Sequence, residues 1–398
     1  MGKSTRVMLE KVENGRGFDE TDRMPLNINI SNFDIFMYIF AILGHFADLG
    51  VDINIAVRYY LSKKLVEFGC TLVFILLPAF VNTAISVHMY SQDKELDSVS
   101  NEVTKRKYLR IFILLLQMAP VLRFMDSLIY AIKSRQAARK NDTSSQRLYY
   151  KLMLKEDSDA ALLRIFECFL EAAPQQVLQM SLLFHGHEHL QPHQYLSIAS
   201  SMIGLGWCLA AYQRAIRFAL EDKNNMDWRG TALQTMWHFL VSLSRITSLS
   251  IIAHLFPFWT ALACIFHIVF MTTWLQFCDK SPFCSQNKLS QVAFSLALGC
   301  VYLFTYILPV EGRTRYRYAL YYTICFVQNI VCGALWYCYV TPDMKSAQYF
   351  YPVLVLSVVP YVLGIFFMVV YYRFFHPKVR KGTQEQDLTV KFDNIELN

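Results

Sequence analysis

Charged residues are scarce in this chain. Only 17% of its 398 residues are Asp, Glu, Lys or Arg, whereas 54% are hydrophobic and 15% are aromatic. Soluble domains carry about 25% charged residues, so this balance excludes an ordinary soluble domain. The composition therefore predicts a protein that crosses a membrane several times.

Several motifs of enzymes and pumps are also missing. The chain contains no Walker motif, no HExxH motif, no catalytic triad signature and no glycine-rich phosphate loop. Neither ATP-driven pumping nor hydrolysis is supported by such a sequence. We expect no enzymatic activity, no cofactor and no nucleic acid partner.

Cysteine and histidine are not arranged as a metal site. The ten cysteines lie mostly singly in apolar runs, with no CxxC pair and no zinc-like spacing to histidine. Only Cys278 and Cys284, in "FCDKSPFCS", are placed to form an extracellular disulfide. We interpret "HGHEH" at 185–189 as a solvated loop and expect no bound metal.

Long apolar runs occupy most of the chain. A run of about 20 apolar residues spans a hydrocarbon core about 30 Å thick, and these runs are too long and continuous for barrel strands. Ten such segments cover approximately residues 33–57, 66–90, 108–132, 162–184, 195–216, 231–256, 258–277, 289–310, 317–340 and 349–374. The first 32 residues are polar and lack a signal-peptide core, so we expect the first helix to direct insertion.

The distribution of Lys and Arg predicts the topology, because these residues near helix ends favour the cytoplasmic side. Three apolar segments separate the N-terminus from the basic loop at 133–155, and three more separate the basic stretches at 214–229 and 313–317. An odd number of crossings cannot return to the same side. One segment of each trio should therefore enter and leave on the cytoplasmic side.

Proline indicates which segments these are, since it interrupts a helix. We choose the segment at 108–132, interrupted at Pro120, and the segment at 231–256, which ends before Pro257. The prediction is an all-α polytopic membrane bundle of about eight spanning helices plus two re-entrant or half-inserted helices. Its domains are a cytoplasmic tail at 1–32, a membrane domain at 33–377 and a second cytoplasmic tail at 378–398.

Three segments carry a polar stripe. On a helix with 100° per residue, the polar residues of the segment at 162–184 fall within an arc of about 120°. These residues are Arg164, Glu167, Glu171, Gln175 and Gln179. Narrower stripes lie in the first segment, at His45, Asp48 and Asp52, and in the sixth, at His238, Ser242 and Arg245.

Such charges are costly at membrane depth. Four unpaired acids at the bilayer centre would cost on the order of 10 kcal/mol, which is comparable to the stability of a whole domain. They must be paired, protonated or hydrated. They either hold the bundle together or line a route for a polar or zwitterionic cargo.

The stripe "LLRIFECFLEAAPQQVLQ" at 162–179 also resembles the signature of the XK-related family, which includes apoptotic phospholipid scramblases. Further matches along the chain are "DLGVD", "AYQRAIR", "LSRITSL", "VEGRTRYR" and "VVYYRFFHP". Their spacing is most similar to the invertebrate cell-death branch. The resemblance implies an eight-span bundle with two partly inserted helices, in agreement with the crossing count.

The resemblance further implies that lipid headgroups move along a stair of charged residues. The residues that carry over are Asp48, Asp52, Arg164, Glu167, Glu171, Arg214 and Arg245. Some members have an acid three residues before the arginine of "YQRAIR", where this chain has Ala211. The partner of Arg214 therefore does not follow from the resemblance.

The implied function is ATP-independent scrambling that exposes phosphatidylserine at the plasma membrane during apoptosis and promotes engulfment. The implied partners are phospholipids, an effector caspase, and a single-span companion subunit or a second copy of the chain. Two alternatives stay open: a transporter of amino acids or small polar solutes, and a structural protein that anchors another membrane protein. A liposome assay separates them, because scrambling needs neither solute nor gradient.

We predict that Asn29 in "NIS" and Asn141 in "NDT" stay unglycosylated, because both sequons lie in regions that we place in the cytoplasm and glycans are added in the lumen. The measurement is the mass shift after glycosidase treatment of protein from eukaryotic cells. A shift that disappears in Asn141→Gln would overturn the predicted topology.

We predict that an effector caspase cuts after Asp22, because Asp19-Glu20-Thr21-Asp22 has the D-x-x-D form in a polar and accessible stretch. Cleavage should shorten the purified protein by about 22 residues and raise the scrambling rate. Asp22→Ala should block both effects. Cleavage without a rate change would mean that this stretch is a solvated linker with no part in control.

Overall fold

The computed structural model describes residues 28, 30–93, 118–184, 192–219, 226–278, 288–307 and 315–376. Helices make up nearly all of this part of the chain, and no strand occurs in it. The helices are α1 (Asn32–Leu61), α2 (Leu65–Asp93), α3 (Ala119–Arg139), α4 (Thr143–Glu167), α5 (Ala173–Leu183), α6 (Pro192–Ala219), α7 (Trp228–Leu255), α8 (Pro257–Cys278), α9 (Lys288–Val301), α10 (Arg315–Tyr339), α11 (Pro342–Lys345) and α12 (Phe350–Val370). Two π-helical turns, Cys168–Ala172 and Tyr371–Phe375, follow α4 and α12.

Six of these helices, α1, α2, α7, α8, α10 and α12, are long and apolar enough to cross a membrane. Their lipid-compatible surface is extensive, and large apolar side chains such as Phe36, Phe266 and Phe366 are more than half exposed. Together with the shorter apolar helix α9, they confirm an all-α polytopic membrane bundle.

Helix ends follow local sequence signals. Ser31 caps α1 through a reciprocal pair in which its hydroxyl accepts from the Asp34 N–H and the Asp34 carboxylate accepts from the Ser31 N–H. Pro120 lies in the first turn of α3, where the missing N–H removes no helical hydrogen bond. The expected interruption at Pro120 is therefore the start of a helix, and residues 94–117 lie outside the described part.

The α3–α4 pair is an antiparallel hairpin closed by a short turn at residues 140–142. Asn141 adopts a left-handed backbone conformation with φ of 55°, which asparagine tolerates better than most residues. Asp142 then caps α4 by accepting from the Ser145 N–H. Hydrogen bonds from Ser145 and Ser144 hold the pKa of this exposed carboxyl at about 2.

Helix α7 is the centre of the second half of the fold and contacts α5, α6, α8, α10 and α12. Small residues permit the close packing. The Ser244 and Ser248 hydroxyls donate to the Ser357 carbonyl of α12, and Gly364 leaves no room for a side chain against the Trp237 carbonyl. Burial of apolar surface does not drive helices together inside lipid. Close packing and interhelical hydrogen bonds of this kind stabilise their association instead.

The segment at 231–256, which we chose as a partly inserted element, forms a helix long enough to cross the membrane. Helix α7 runs without a break for 28 residues, about 42 Å at 1.5 Å per residue, which exceeds a hydrocarbon core of about 30 Å. The short element is α9, whose 14 residues extend only about 21 Å. The irregular chain that follows it, residues 302–307, is almost entirely buried, as backbone without helical bonds must be at membrane depth.

Helices α6 and α7 approach closely at one glycine of "SMIGLGW". A Cβ added at Gly206 would lie 2.7 Å from the Phe239 Cβ and 2.7 Å from the Thr235 carbonyl oxygen, whereas a Cβ at Gly204 would meet nothing within 4 Å. Gly206 is therefore a close-packing residue, whereas Gly204 faces open space.

We predict that Gly206→Ala lowers the stability of the detergent-solubilised protein by about 1–3 kcal/mol, the usual cost of overpacking. The adjacent Gly204→Ala is the matched control and should leave stability unchanged or slightly raised. Thermal unfolding followed by intrinsic fluorescence measures both. Equal melting temperatures for the two variants would contradict the close approach of α6 and α7.

Candidate functional site

The first structural feature of the site is a cavity of about 350 Å³ between α1, α2, the turn Cys168–Ala172 and the start of α3. Six polar residues line it among apolar neighbours: His45, Asp48, Asp52, Asn82, Glu167 and Glu171. Four of these six are acids, so the cavity has an excess of negative groups.

The first group is an ion-pair chain centred on Glu167, which lines the cavity together with His45 and Asp48, while Arg164 lies beside it. One Glu167 oxygen lies 2.9 Å from His45 Nδ1, and the other lies 3.3 Å from Arg164 Nη1. Arg164 Nη2 extends to Asp48 Oδ2 at 4.0 Å. Glu167 is buried, whereas the Asp48 side chain is 60% exposed. Charges of alternating sign thus lead from a buried acid to an accessible one.

The second group pairs Asp52 with Glu171. Their carboxyl groups interact with each other across the contact between α1 and the π-helical turn. Two acids side by side repel each other when both are ionised, so a cation beside them would stabilise the pair. Gln179 lies one turn after Gln175 in α5 and is half-buried.

A buried amide oxygen in the cavity has no hydrogen-bond partner in the described part of the chain. Asn82 is only 2% exposed and its Oδ1 makes no hydrogen bond there. Leaving such an oxygen unsatisfied costs about 1–3 kcal/mol. The cavity consequently favours contents that carry hydrogen-bond donors, such as water or a polar group of a guest molecule.

The cavity also has an apolar side that faces outward. Ile53, Val57, Leu72 and Leu76 line it and are each at least 39% exposed. These side chains belong to α1 and α2, which are both apolar enough to span a membrane. The polar interior of the cavity therefore opens between two lipid-compatible helices.

A π-helical turn sets the positions of the two glutamates. The Ala173 N–H donates to the Cys168 carbonyl, five residues back, where an α-helix would bond four residues back. Pro174 lacks an N–H, and in an α-helix its ring would clash with the carbonyl of Leu170. The wider turn removes that clash, and Glu171 lies within it. Pro174 was the signal in the sequence for this turn. The predicted polar stripe assumed a regular α-helix and therefore did not include the π-helical turn.

Arg214 and Arg245 lie outside this cavity. Arg214 Nη1 donates to the Met226 carbonyl at 3.0 Å and to the Thr231 hydroxyl at 3.3 Å, and its guanidinium stacks on Trp228. These contacts answer the question of its partner, since they join the end of α6 to the start of α7.

Arg245 is buried in the second half and has no carboxylate partner among the residues that the structure describes. Its guanidinium donates to the Leu303 carbonyl through Nε and Nη2, to Asn329 at 2.7 Å and to Gln328 at 3.0 Å. His238, on the same face of α7, is buried and stacks on Trp237. The polar stripe of α7 therefore faces other helices of the protein, and its contacts stabilise their packing.

A second charged cluster was not among the predicted site residues. Arg123 of α3 is fully buried and contacts Glu156 at 2.8 Å and Asp159 at 3.1 Å, while Tyr90 of α2 stacks on its guanidinium. Burial raises the pKa of Glu156 despite the adjacent Arg123. The sequence did contain a signal for this cluster. The stretch "KEDSDA" at 155–160 carries three acids in α4, just before the apolar segment at 162–184.

An acid next to this cluster bonds α4 to α1. The Tyr38 hydroxyl donates to Asp157 at 2.7 Å. Burial raises the pKa of Asp157 to about 6, although the bonds from Tyr38 and Ser127 oppose the shift. Together with the Arg123 cluster, it holds α1 and α2 against the α3–α4 hairpin.

Several predicted residues lie outside the described part of the chain. These are Asp19, Asp22, Cys284 and the histidines at 185–189. Cys278 ends α8, but its side chain is also outside the description. Within the described residues, no group of three His, Cys, Asp or Glu side chains forms a candidate metal site.

Comparison with known proteins identifies relatives over nearly the whole chain. Cell death abnormality protein 8 of Caenorhabditis briggsae is 26% identical over 400 residues, which covers 95% of this chain and 84% of the relative. The protein of the same name from Caenorhabditis elegans is 26% identical over 392 residues, covering 92% and 84%. Both relatives agree with the predicted similarity to the invertebrate cell-death branch.

The family profile described as XK-related protein matches residues 36–377, from the fifth residue of α1 to just beyond the second π-helical turn. That range contains both polar groups of the cavity and all the helices described above. The chain belongs to the XK-related family.

Proposed function

We propose that this protein is an ATP-independent phospholipid scramblase that exposes phosphatidylserine at the surface of dying cells and promotes their engulfment. The observation that carries the proposal is the cavity with alternating charges that opens between two lipid-compatible helices, α1 and α2. The names of the two relatives, which refer to cell death, support the process in which the activity would act.

The charges fit a lipid headgroup that carries both signs. Its ammonium group would contact Asp48, Glu167 or the Asp52–Glu171 pair, and its phosphate or carboxylate would contact Arg164. Each contact replaces part of the hydration that the headgroup loses on leaving water. The acyl chains would stay outside, against the exposed apolar side chains Ile53 and Leu72. Such movement runs down an existing lipid gradient, so it needs no energy source.

Weak, multiple contacts suit transport better than one tight site, since a molecule that crosses must also leave. Arg164 is 41% exposed and lies at the 4.0 Å limit from Asp48, so a passing headgroup can displace this contact at little cost. Glu167, held by His45 and Arg164, stays in place and keeps the arginine oriented. Arg214 and Arg245 would act in this scheme by holding α6 and α7 in position.

The wider biology follows from the same proposal. The protein would act in the plasma membrane with both termini in the cytoplasm, as the distribution of basic residues suggests. Control would come from caspase cleavage after Asp22, and a single-span subunit or a second copy could associate with the exposed apolar faces. Phosphatidylserine and other phospholipids are the proposed cargo.

We predict that Glu167→Ala and Asp52→Ala each slow scrambling by at least about tenfold, because each change removes a charge-assisted contact worth about 1.5–3 kcal/mol. Asp343→Ala is the control, since Asp343 is exposed in α11, away from the cavity. The measurement is the loss of outer-leaflet fluorescent lipid from liposomes that contain purified protein and no ATP.

The same assay discriminates the alternatives. Wild-type rates for both cavity variants would refute the charged route. If the wild-type protein leaves lipids in place but takes up a radiolabelled amino acid in a saturable way, the cavity serves a solute carrier instead. Equal scrambling losses in the cavity variants and in Asp343→Ala would point to general misfolding, and size-exclusion profiles check that outcome directly.

A further inference from the structure

A second cavity, of about 370 Å³, lies where the chain enters α1 against the α3–α4 hairpin. Its polar lining comes from both elements: Ser31, Asn32, Ser134, Arg135, Arg139 and Gln146. It is separate from the acidic cavity, with which it shares no lining residue. Its volume lies in the range of about 300–1,000 Å³ that is usual for small-ligand sites.

The charge of this cavity is opposite to that of the first. Arg135 is half-buried and donates to the Asn32 side chain, while Arg139 is exposed one turn further along α3. Within the described residues, neither guanidinium has a carboxylate within 4 Å. Two cations that face a common space attract an anion, and guanidinium groups bind phosphate oxygens in a bidentate manner.

Hydrogen bonds hold the remaining lining residues of this cavity in place. Gln146 donates to the Ile28 carbonyl at 2.7 Å, and the Ser134 hydroxyl donates to the Gln146 carbonyl at 3.0 Å. These bonds hold the residues before α1 onto the hairpin. They leave the Gln146 side-chain oxygen and the Arg139 guanidinium available to a ligand that carries hydroxyl groups and negative oxygens.

The position of the cavity points to the membrane surface. Phe33, Phe36 and Phe40, in the first three turns of α1, are 67%, 56% and 59% exposed, which marks the depth at which the hydrocarbon region begins. The cavity lies at the N-terminal end of α1, beside the basic stretch at 133–155, which belongs to the α3–α4 hairpin. Basic pockets at this level between membrane helices bind anionic lipid headgroups.

We infer that this cavity binds a phosphorylated inositol headgroup, with Arg135 and Arg139 each holding a phosphate and the Gln146, Ser31 and Asn32 side chains contacting ring hydroxyls. The acyl chains of a lipid ligand would lie along Phe33 and Phe36. Because the site joins the start of α1 to the hairpin, its occupancy would fix the helix that carries Asp48 and Asp52. The binding itself does not depend on lipid scrambling.

The test uses the full-length purified protein with a short-chain phosphatidylinositol bisphosphate as probe, and microscale thermophoresis at a fixed salt concentration. The pocket variant is Arg135→Gln/Arg139→Gln. The matched control is Lys140→Gln/Arg147→Gln, which removes the same charge from the same hairpin at two exposed residues that do not line the cavity. The single variant Arg139→Gln guards against misfolding, because this side chain is exposed and makes no hydrogen bond or ion pair within the described residues.

We predict that the pocket variant binds the probe at least about tenfold more weakly, since each surface arginine contributes about 1 kcal/mol to binding of an anionic headgroup. Arg139→Gln should lose about fivefold, and the control less than about twofold. Soluble inositol trisphosphate forms the second arm. If it binds as tightly as the lipid and is lost in the pocket variant, the ligand is a free inositol phosphate held by the same residues.

Two results would overturn the inference. One is the absence of saturable binding of either probe to the wild-type protein. The other is equal weakening in the pocket and control double variants, which would mean that diffuse positive charge on the hairpin attracts the anion. Neither result bears on the scrambling assay, so the two proposals fail separately.

Discussion

The cost of burying polar groups at membrane depth is the constraint on which the rest of this structure depends. Arg245 shows one solution, in which a buried guanidinium is satisfied by carbonyl and amide oxygens of α9, α10 and the chain between them. The irregular chain after α9 is stable there because that arginine binds its Leu303 carbonyl. Arg123 shows the other solution, with acids of α4 as partners. In both places the contacts of the buried arginine hold neighbouring helices together.

The acidic cavity is the place where this constraint is only partly met. Glu167 has partners, but Asp48 is accessible, Asp52 and Glu171 are two acids side by side, and the Asn82 oxygen has no bond in the described part of the chain. A route for lipid headgroups requires polar groups that lack some of their hydrogen-bond or ionic partners and that lie beside an opening to lipid.

The two cavities lie at different parts of the same helix. The acidic cavity is bounded by the middle of α1, and the basic one by its N-terminal end and the hairpin. Tyr38, between them, bonds α1 to Asp157 of the hairpin. A change in how the hairpin holds the start of α1 would therefore reach the acids, because a helix transmits displacement along its axis.

The sequence by itself determined the membrane class, the all-α fold, the family and the approximate limits of most helices, because scarcity of charge and long apolar runs are local properties. It also located the acids Asp48, Asp52, Glu167 and Glu171, since a charge in an apolar run is conspicuous at any position. It did not determine which segments are short, because Pro257 only separates two long helices while α9 ends without a proline. Nor did it separate Arg245 and Arg214 from the cavity, since a helical stripe gives an angle on one helix and not the identity of its neighbours. Those assignments depend on which helices pack together, and only the tertiary structure decides that.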